Sequence, residues 1–160
     1  MGIGLGLGLH TLIDGIALGA VMRGSGSAEG LIGKFGRSTF TLVPTNELTI
    51  VTDSSTITKS GKPGWNSSAY TIQSYMYPNL SFTLSAYTDA FIGLSTQPKL
   101  NNFTSSINYA FCLSDNKSIC IYENDNLIKI CNGEYSTETL FRIYHDGQNI
   151  EYYVDGISVH

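Results

Sequence analysis

His10 and Asp14 stand four residues apart inside an apolar, glycine-laced run at the start of the chain. On a helix that spacing puts imidazole and carboxylate on one face, where they can grip one cation or hydrogen-bond each other. Elsewhere, residues that carry chemistry are sparse. Nucleophilic catalysis needs a serine or cysteine beside a base, and the candidate bases in the rest of the chain are His145, in "YHDG", and His160. His145 precedes a hairpin turn, where a polar residue is expected without catalysis. Glu123 and Asp125 have the i, i+2 spacing of a glycosidase carboxylate pair, but they fall in the turn-like string "YENDN", which sends the two side chains into water. Asp146 and Asp155 each precede a glycine, and hairpin formation accounts for both without calcium. Cys112, Cys120 and Cys131 fit neither a CxxC zinc pattern nor an even-numbered disulfide framework. They read as ordinary strand residues, with one disulfide plus one free thiol as the alternative. These residues predict no catalysis and no cofactor of the β-rich part of the chain.

What remains is aromatic. Trp65 and the tyrosines Tyr70, Tyr75, Tyr77, Tyr152 and Tyr153 offer amphipathic rings that stack on sugars or fill a protein interface. Tyr152 and Tyr153 are adjacent, so on a strand one must point outward if the other is buried. The string "GKPGWNSSAY", residues 61–70, carries Pro63, two glycines and the only tryptophan, and is the candidate ligand-facing loop. Trp65, Tyr70, Tyr75 and Tyr153 are the expected contacts with a glycan or a protein surface; the competing assignment makes Trp65 a core anchor. Sequons at Asn66, Asn79, Asn102 and Asn116 fit an extracellular surface. With 9 basic against 13 acidic residues and no Lys/Arg cluster, nucleic acid is not an expected partner.

The elements that must position these residues differ along the chain. Its 160 residues suffice for one domain plus a short appendage. Composition breaks near Arg37: all 10 tyrosines lie beyond it. Residues 2–22 hold one carboxylate and one histidine and no other ionisable side chain. As a helix they would span roughly 30 Å, enough for a bilayer core. Gly4/Gly8 and Gly15/Gly19 form small-xxx-small pairs suited to close helix contact in lipid. Residues 1–22 are therefore expected to be an apolar helix and a candidate transmembrane segment, and residues 23–37, rich in glycine and serine, a flexible linker. Residues 38–160 alternate apolar and polar positions, with turn signals at short intervals such as Asn-Gly and Asp-Gly. About ten short strands are expected there, packed as an antiparallel two-sheet sandwich. In "INYAFCL", Ile107, Tyr109, Phe111 and Leu113 are expected on one face, with Asn108, Ala110 and Cys112 on the other.

Two resemblances sharpen this reading. The string "HTLIDGIALGA", residues 10–20, resembles the fourth transmembrane helix of ZIP-family zinc transporters. His10 and Asp14 match that family's metal ligands and Gly15 its helix contact, while Thr11 replaces the usual asparagine. The family's His-Glu-x-x-His partner helix is missing, so the resemblance implies a fragment fused to something else. The strings "KPGWNSSAYTIQSY", "AFIGLS", "INYAFCLSDNKSICIYENDNLIK" and "TLFRIYHDGQNIEYYVDGISV" follow the order seen in concanavalin A-like sandwich modules of the SPRY/LamG-like kind. Over residues 60–160 this resemblance implies a mainly β, jelly-roll-type sandwich, left short at its C-terminal edge.

The expected function is a non-catalytic, lectin-like recognition module tethered to an apolar N-terminal helix. It would be membrane-associated or extracellular. Arg23, Lys34 and Arg37 favour a cytoplasmic sandwich and the sequons the opposite side. The alternatives are a ZIP-like remnant in which His10 and Asp14 bind zinc, and a structural fibre or virion component packed against its own copies.

Overall fold

Strings such as "NLSFTL" and "FRIYH" hide every second side chain only if a second sheet covers that face. The computed structural model describes residues 17–22 and 26–33 as backbone and residues 41–52, 56–97 and 106–160 in full. Among these residues the strands are β1 (Ala17–Met22), β2 (Gly26–Gly33), β3 (Leu42–Pro44), β4 (Thr49–Thr52), β5 (Thr56–Lys59), β6 (Ser67–Thr71) and β7 (Asn79–Leu84). They continue with β8 (Ala90–Ser95), β9 (Tyr109–Leu113), β10 (Ile119–Glu123), β11 (Asn126–Ile130), β12 (Phe141–His145), β13 (Ile150–Val154) and β14 (Ile157–Ser158). Sheet 1 has seven strands in the order β11-β10-β9-β8-β1-β6-β3, and sheet 2 has seven in the order β14-β13-β12-β7-β2-β5-β4. Every pairing is antiparallel. The architecture is a β-sandwich of two antiparallel sheets, compatible with a jelly roll.

The expectation of an N-terminal helix is corrected where the structure describes it. Ala17–Met22 is a strand, laid between β6 and β8, and no helix lies among the described residues. No described helix is long and apolar enough to cross a membrane. Glycines that weaken a helix leave the segment free to be extended, and two flanking ladders satisfy its backbone groups on both sides. Gly26–Gly33, inside the expected linker, pairs with β5 and β7 in the middle of sheet 2. Residues 1–16, with His10, Asp14 and Gly15, lie outside the described residues.

From β3 onward the alternation reads directly as burial. Leu80, Phe82 and Leu84 of β7, Phe141 and Ile143 of β12, and Tyr152 of β13 point inward from sheet 2. Ile92 and Leu94 of β8, Phe111 and Leu113 of β9, and Ile119 and Ile121 of β10 meet them from sheet 1. Phe82 and Phe141 stack at 5.2 Å between ring centroids, and Phe111 approaches Phe141 at 5.1 Å and Tyr152 edge-on at 5.4 Å. Ile107 departs from its expected face. The strand begins at Tyr109, and Ile107, ahead of it, folds onto the outer side of sheet 1 against Phe91 and Ala110.

Tight turns occur where their residues predicted them. Asn124 and Asp125 (φ 49° and 65°) join β10 to β11, and Asp155 and Gly156 (φ 50° and 81°) join β13 to β14. The last segment doubles back on β13, with Tyr152 donating its N–H to His160 O at 2.9 Å. Across the sandwich, Lys129 of β11 donates to the Val159 carbonyl at 2.7 Å.

Gly93 marks the closest approach within sheet 1. It faces Ala110 in register, and a Cβ placed on it would sit 1.9 Å from the Tyr109 carbonyl oxygen and 2.8 Å from Ala110 Cα. All of these atoms are backbone of β9, so no flexible side-chain end is there to yield. Gly93→Ala is therefore expected to cost at least about 2 kcal/mol, read as a lowered urea midpoint with little change in slope. A midpoint equal to that of the parent chain would show that the strands can part there freely.

Candidate functional site

Because β8, β9 and β10 alternate, sheet 1 has an outer face built from Phe91 and Gly93, Ala110 and Cys112, and Cys120 and Tyr122. Register sets these in rows: Phe91 lies beside Cys112 and Cys112 beside Cys120, while Gly93 lies beside Ala110 and Ala110 beside Tyr122. Phe91, Ile107 and Ala110 are buried here in a second, smaller apolar cluster, with Trp65, Cys112 and Tyr122 half-buried around it. Trp65 meets Phe91 edge-on at 5.9 Å and 79°, and Tyr122 meets Phe91 from its other side at 5.1 Å. Phe91 is the buried ring that both others contact, and Trp65 and Tyr122 are half-buried.

The loop that carries Trp65 is held on several sides. Lys59 is buried at the end of β5 and donates to Asn66 Oδ1 at 2.6 Å and to the Ser60 carbonyl at 3.2 Å. Asn46 donates through Nδ2 to the Asn66 carbonyl at 2.7 Å, and Thr49 and Ser67 share a hydroxyl hydrogen bond of 2.8 Å. Gly61 takes a φ of +81°, which glycine adopts without steric cost. Trp65 is thus presented by a braced turn and sits between the two roles the sequence offered: its ring packs on Phe91, yet it remains half-buried.

The remaining expected contacts are dispersed. Tyr70 alternates with buried Ala69 and Thr71 on β6, which puts it on the outer face of sheet 1, the face that carries Trp65. Tyr75 packs against the main core, and burial raises the pKa of its phenol. Tyr153 lies on the outer face of sheet 2, opposite buried Tyr152. There its hydroxyl donates to the Glu151 carboxylate, while the Arg142 guanidinium stands 5.1 Å from the Tyr144 ring and 5.2 Å from the Tyr153 ring. One rigid partner cannot touch Trp65 and Tyr153 together, because the whole sandwich lies between them. His10 and Asp14 lie outside the described residues, and among the described residues no three His, Cys, Asp or Glu side chains converge as a metal site would require.

Sequence reasoning missed Phe91 and Tyr122 as site residues. Phe91 sits in "AFIGLS", a run apolar enough to look buried on both faces, and only its cross-strand neighbours show that its face is the outer one. The other titratable residues are absorbed structurally. Asp146 Oδ1 accepts from the N–H groups of Gln148 and Asn149 at 2.7 Å each, and these bonds hold its carboxyl below the usual range. Asp155 Oδ1 accepts from the Leu140 N–H at 2.8 Å, and Glu123 faces His160 at 3.8 Å rather than Asp125. Of the sequon asparagines, Asn66 is engaged by Lys59 and Asn79 by Arg142 Nε at 2.8 Å; Asn116 is exposed, and its Oδ1 accepts from the Ser118 N–H at 3.0 Å; Asn102 lies outside the described residues.

No protein-family model matches the chain, and neither a curated protein nor a solved structure matches it.

His145 ends β12 on its inward side, with Nδ1 3.4 Å from the Met76 carbonyl. Burial lowers its pKa, against weaker opposing effects from that carbonyl and from Asp146. The folded chain therefore favours the neutral ring. Its contribution to stability is complete above the ordinary imidazole range and is lost as pH falls through that range, because the unfolded state then binds the extra proton. Melting temperature is expected to fall between about pH 7 and about pH 5, and His145→Gln to flatten that fall. Parallel pH profiles for the two chains would remove His145 as its source.

Proposed function

We propose that the chain is a non-catalytic recognition module that binds a glycan or a protein surface through the outer face of sheet 1. The observation that carries this reading is the ring cluster Trp65–Phe91–Tyr122. Two half-buried amphipathic rings contact a buried one, on a rigid sheet and a braced loop. Rigid aromatic surfaces of this kind bind without a large entropic cost of ordering, and they suit both sugar faces and protein hot spots. Tyr70 extends the same face across β6.

A second reading, a structural component packed against copies of itself, draws on the edge strand β11. Leu127, Ile128 and Ile130 are 48%, 43% and 65% exposed there, beside unpaired edge backbone. Exposed apolar edges of this kind invite strand addition.

Glycan arrays and pull-downs with the parent chain would supply a ligand of one class or the other. Against it, Trp65→Ala is expected to weaken binding about 5- to 150-fold, equivalent to about 1–3 kcal/mol, and Tyr122→Ala to weaken it as well. Trp65→Ala should leave the chain folded, with a stability loss nearer about 1–2 kcal/mol than the about 3–5 kcal/mol of a fully buried tryptophan. Tyr153→Ala, on the opposite face, should bind like the parent. Loss of binding in Tyr153→Ala with none in Trp65→Ala would move the site to sheet 2. A concentration-dependent oligomer that dissolves on Ile130→Lys would favour the structural reading.

A further inference from the structure

The three cysteines do not share one environment. Cys112 of β9 and Cys120 of β10 both point outward from sheet 1 and are direct cross-strand partners. Cys131 follows β11 and donates its N–H to the Ile119 carbonyl at 2.9 Å, level with an inward-facing residue. Its side chain packs against the main core. The neighbour of Cys120 on β11 is Ile130, so the sheet itself separates Cys131 from the other two thiols. All three are thiols in this structure.

Ladder phase then defines the pair. Ser114 donates to Ser118 O at 3.2 Å and Asn124 to Asn108 O at 2.7 Å. Stepping by two residues along each strand puts Cys112 and Cys120 in a hydrogen-bonded pair of the same series. Cα atoms of such pairs lie about 5.5 Å apart, within the disulfide range of about 4.4–6.8 Å. Their Cβ atoms, at the long end of about 4.5–5.5 Å, stand farther apart than the about 3.5–4.5 Å a disulfide needs. A bond between them closes only if β9 and β10 twist locally, and a bond closed that way is strained and readily reduced.

We propose that Cys112 and Cys120 form a reversible, redox-labile cross-strand disulfide, with Cys131 remaining a thiol. Exchange with a small disulfide such as oxidised glutathione supplies the oxidant. The Cys120 thiolate attacks one glutathione sulfur, the glutathione S–S bond breaks, and one glutathione thiolate leaves. The Cys112 thiolate then attacks Cys120 Sγ in the mixed disulfide and expels the second glutathione thiolate. Two electrons pass from the cysteines to glutathione disulfide, and the two cysteine protons end on the two glutathione thiols. Burial, with Cys120 and Asp89 adding to it, pushes the Cys112 thiol up to about 12, and burial raises Cys120 as well. The exchange is accordingly slow at neutral pH and quickens as pH rises. The thiol pair shares the outer face of sheet 1 with the ring cluster, and its chemistry is read on the chain with no ligand added.

The test uses the full chain incubated with oxidised glutathione, quenched, alkylated and mapped by mass spectrometry. The expected product has lost two hydrogens, carries a Cys112–Cys120 linked peptide and has one alkylated cysteine, Cys131. Millimolar reduced glutathione should return all three thiols. Cys131→Ser should form the same link, and Cys112→Ser should stop at a glutathione adduct. Three alkylatable thiols after oxidation, a link that includes Cys131, a link between chains, or glutathione adducts alone on the parent would overturn the pairing. A Cys112–Cys120 link that survives millimolar reduced glutathione would overturn its lability.

Discussion

Phe111 is the ring through which the two sheets hold each other. It projects from β9 of sheet 1 and meets Phe82, Phe141 and Tyr152 of sheet 2 at 6.2, 5.1 and 5.4 Å between centroids. Each such contact adds about 1 kcal/mol beyond the burial of apolar area. Their value lies equally in direction, because edge-to-face rings fix how one sheet is rotated over the other. Tyr135 extends the cluster from the connection after β11. Its ring meets Phe141 at 5.8 Å, and its hydroxyl donates to the Ser114 carbonyl at 2.8 Å. The turn between β9 and β10 is thereby tied to the same core that orients Phe111.

Once Phe111 faces inward, the pleat leaves no choice for its neighbours. Ala110 and Cys112 must face outward, and so must their register partners Tyr122, Cys120, Gly93 and Phe91. The outward placement of Phe91 and Tyr122, the thiol pair and the close approach at Gly93 are all consequences of that single inward placement. The outer face of sheet 1 consequently carries a second apolar layer, and β8 is buried on both sides.

Two lysines are each held by an oxygen of another segment, one buried and one at the exposed rim. Lys59 lies at the end of β5, where Asn66 and Ser60 receive its ammonium. Lys129 reaches from the β11 edge to the Val159 carbonyl and joins the two sheets at their rim. An inward-pointing lysine on an edge strand also discourages a further strand from docking there, in opposition to the apolar exposure of Leu127, Ile128 and Ile130.

The sequence by itself determined the class of fold from β3 onward, because period-two alternation and turns such as Asn124–Asp125 and Asp155–Gly156 are local properties of the chain. The strings around β7, β9, β10, β12 and β13 were legible for that reason. Trp65 and Tyr70 were legible as surface-capable aromatics, though their neighbours were not. Only the tertiary structure decided that Ala17–Met22 and Gly26–Gly33 pair as central strands, since a glycine-rich apolar run carries no period that separates helix from strand. It alone added β5 and β14, the first a four-residue strand of threonine, isoleucine and lysine and the second only two residues long. It sent Ile107 outward, drew Tyr75 toward the core, and put Tyr153 on the far sheet. It also set Cys112 beside Cys120 across β9 and β10 and kept Cys131 apart. Each of these is a matter of register and facing between segments distant in sequence, and such relations are fixed by packing rather than by local preference.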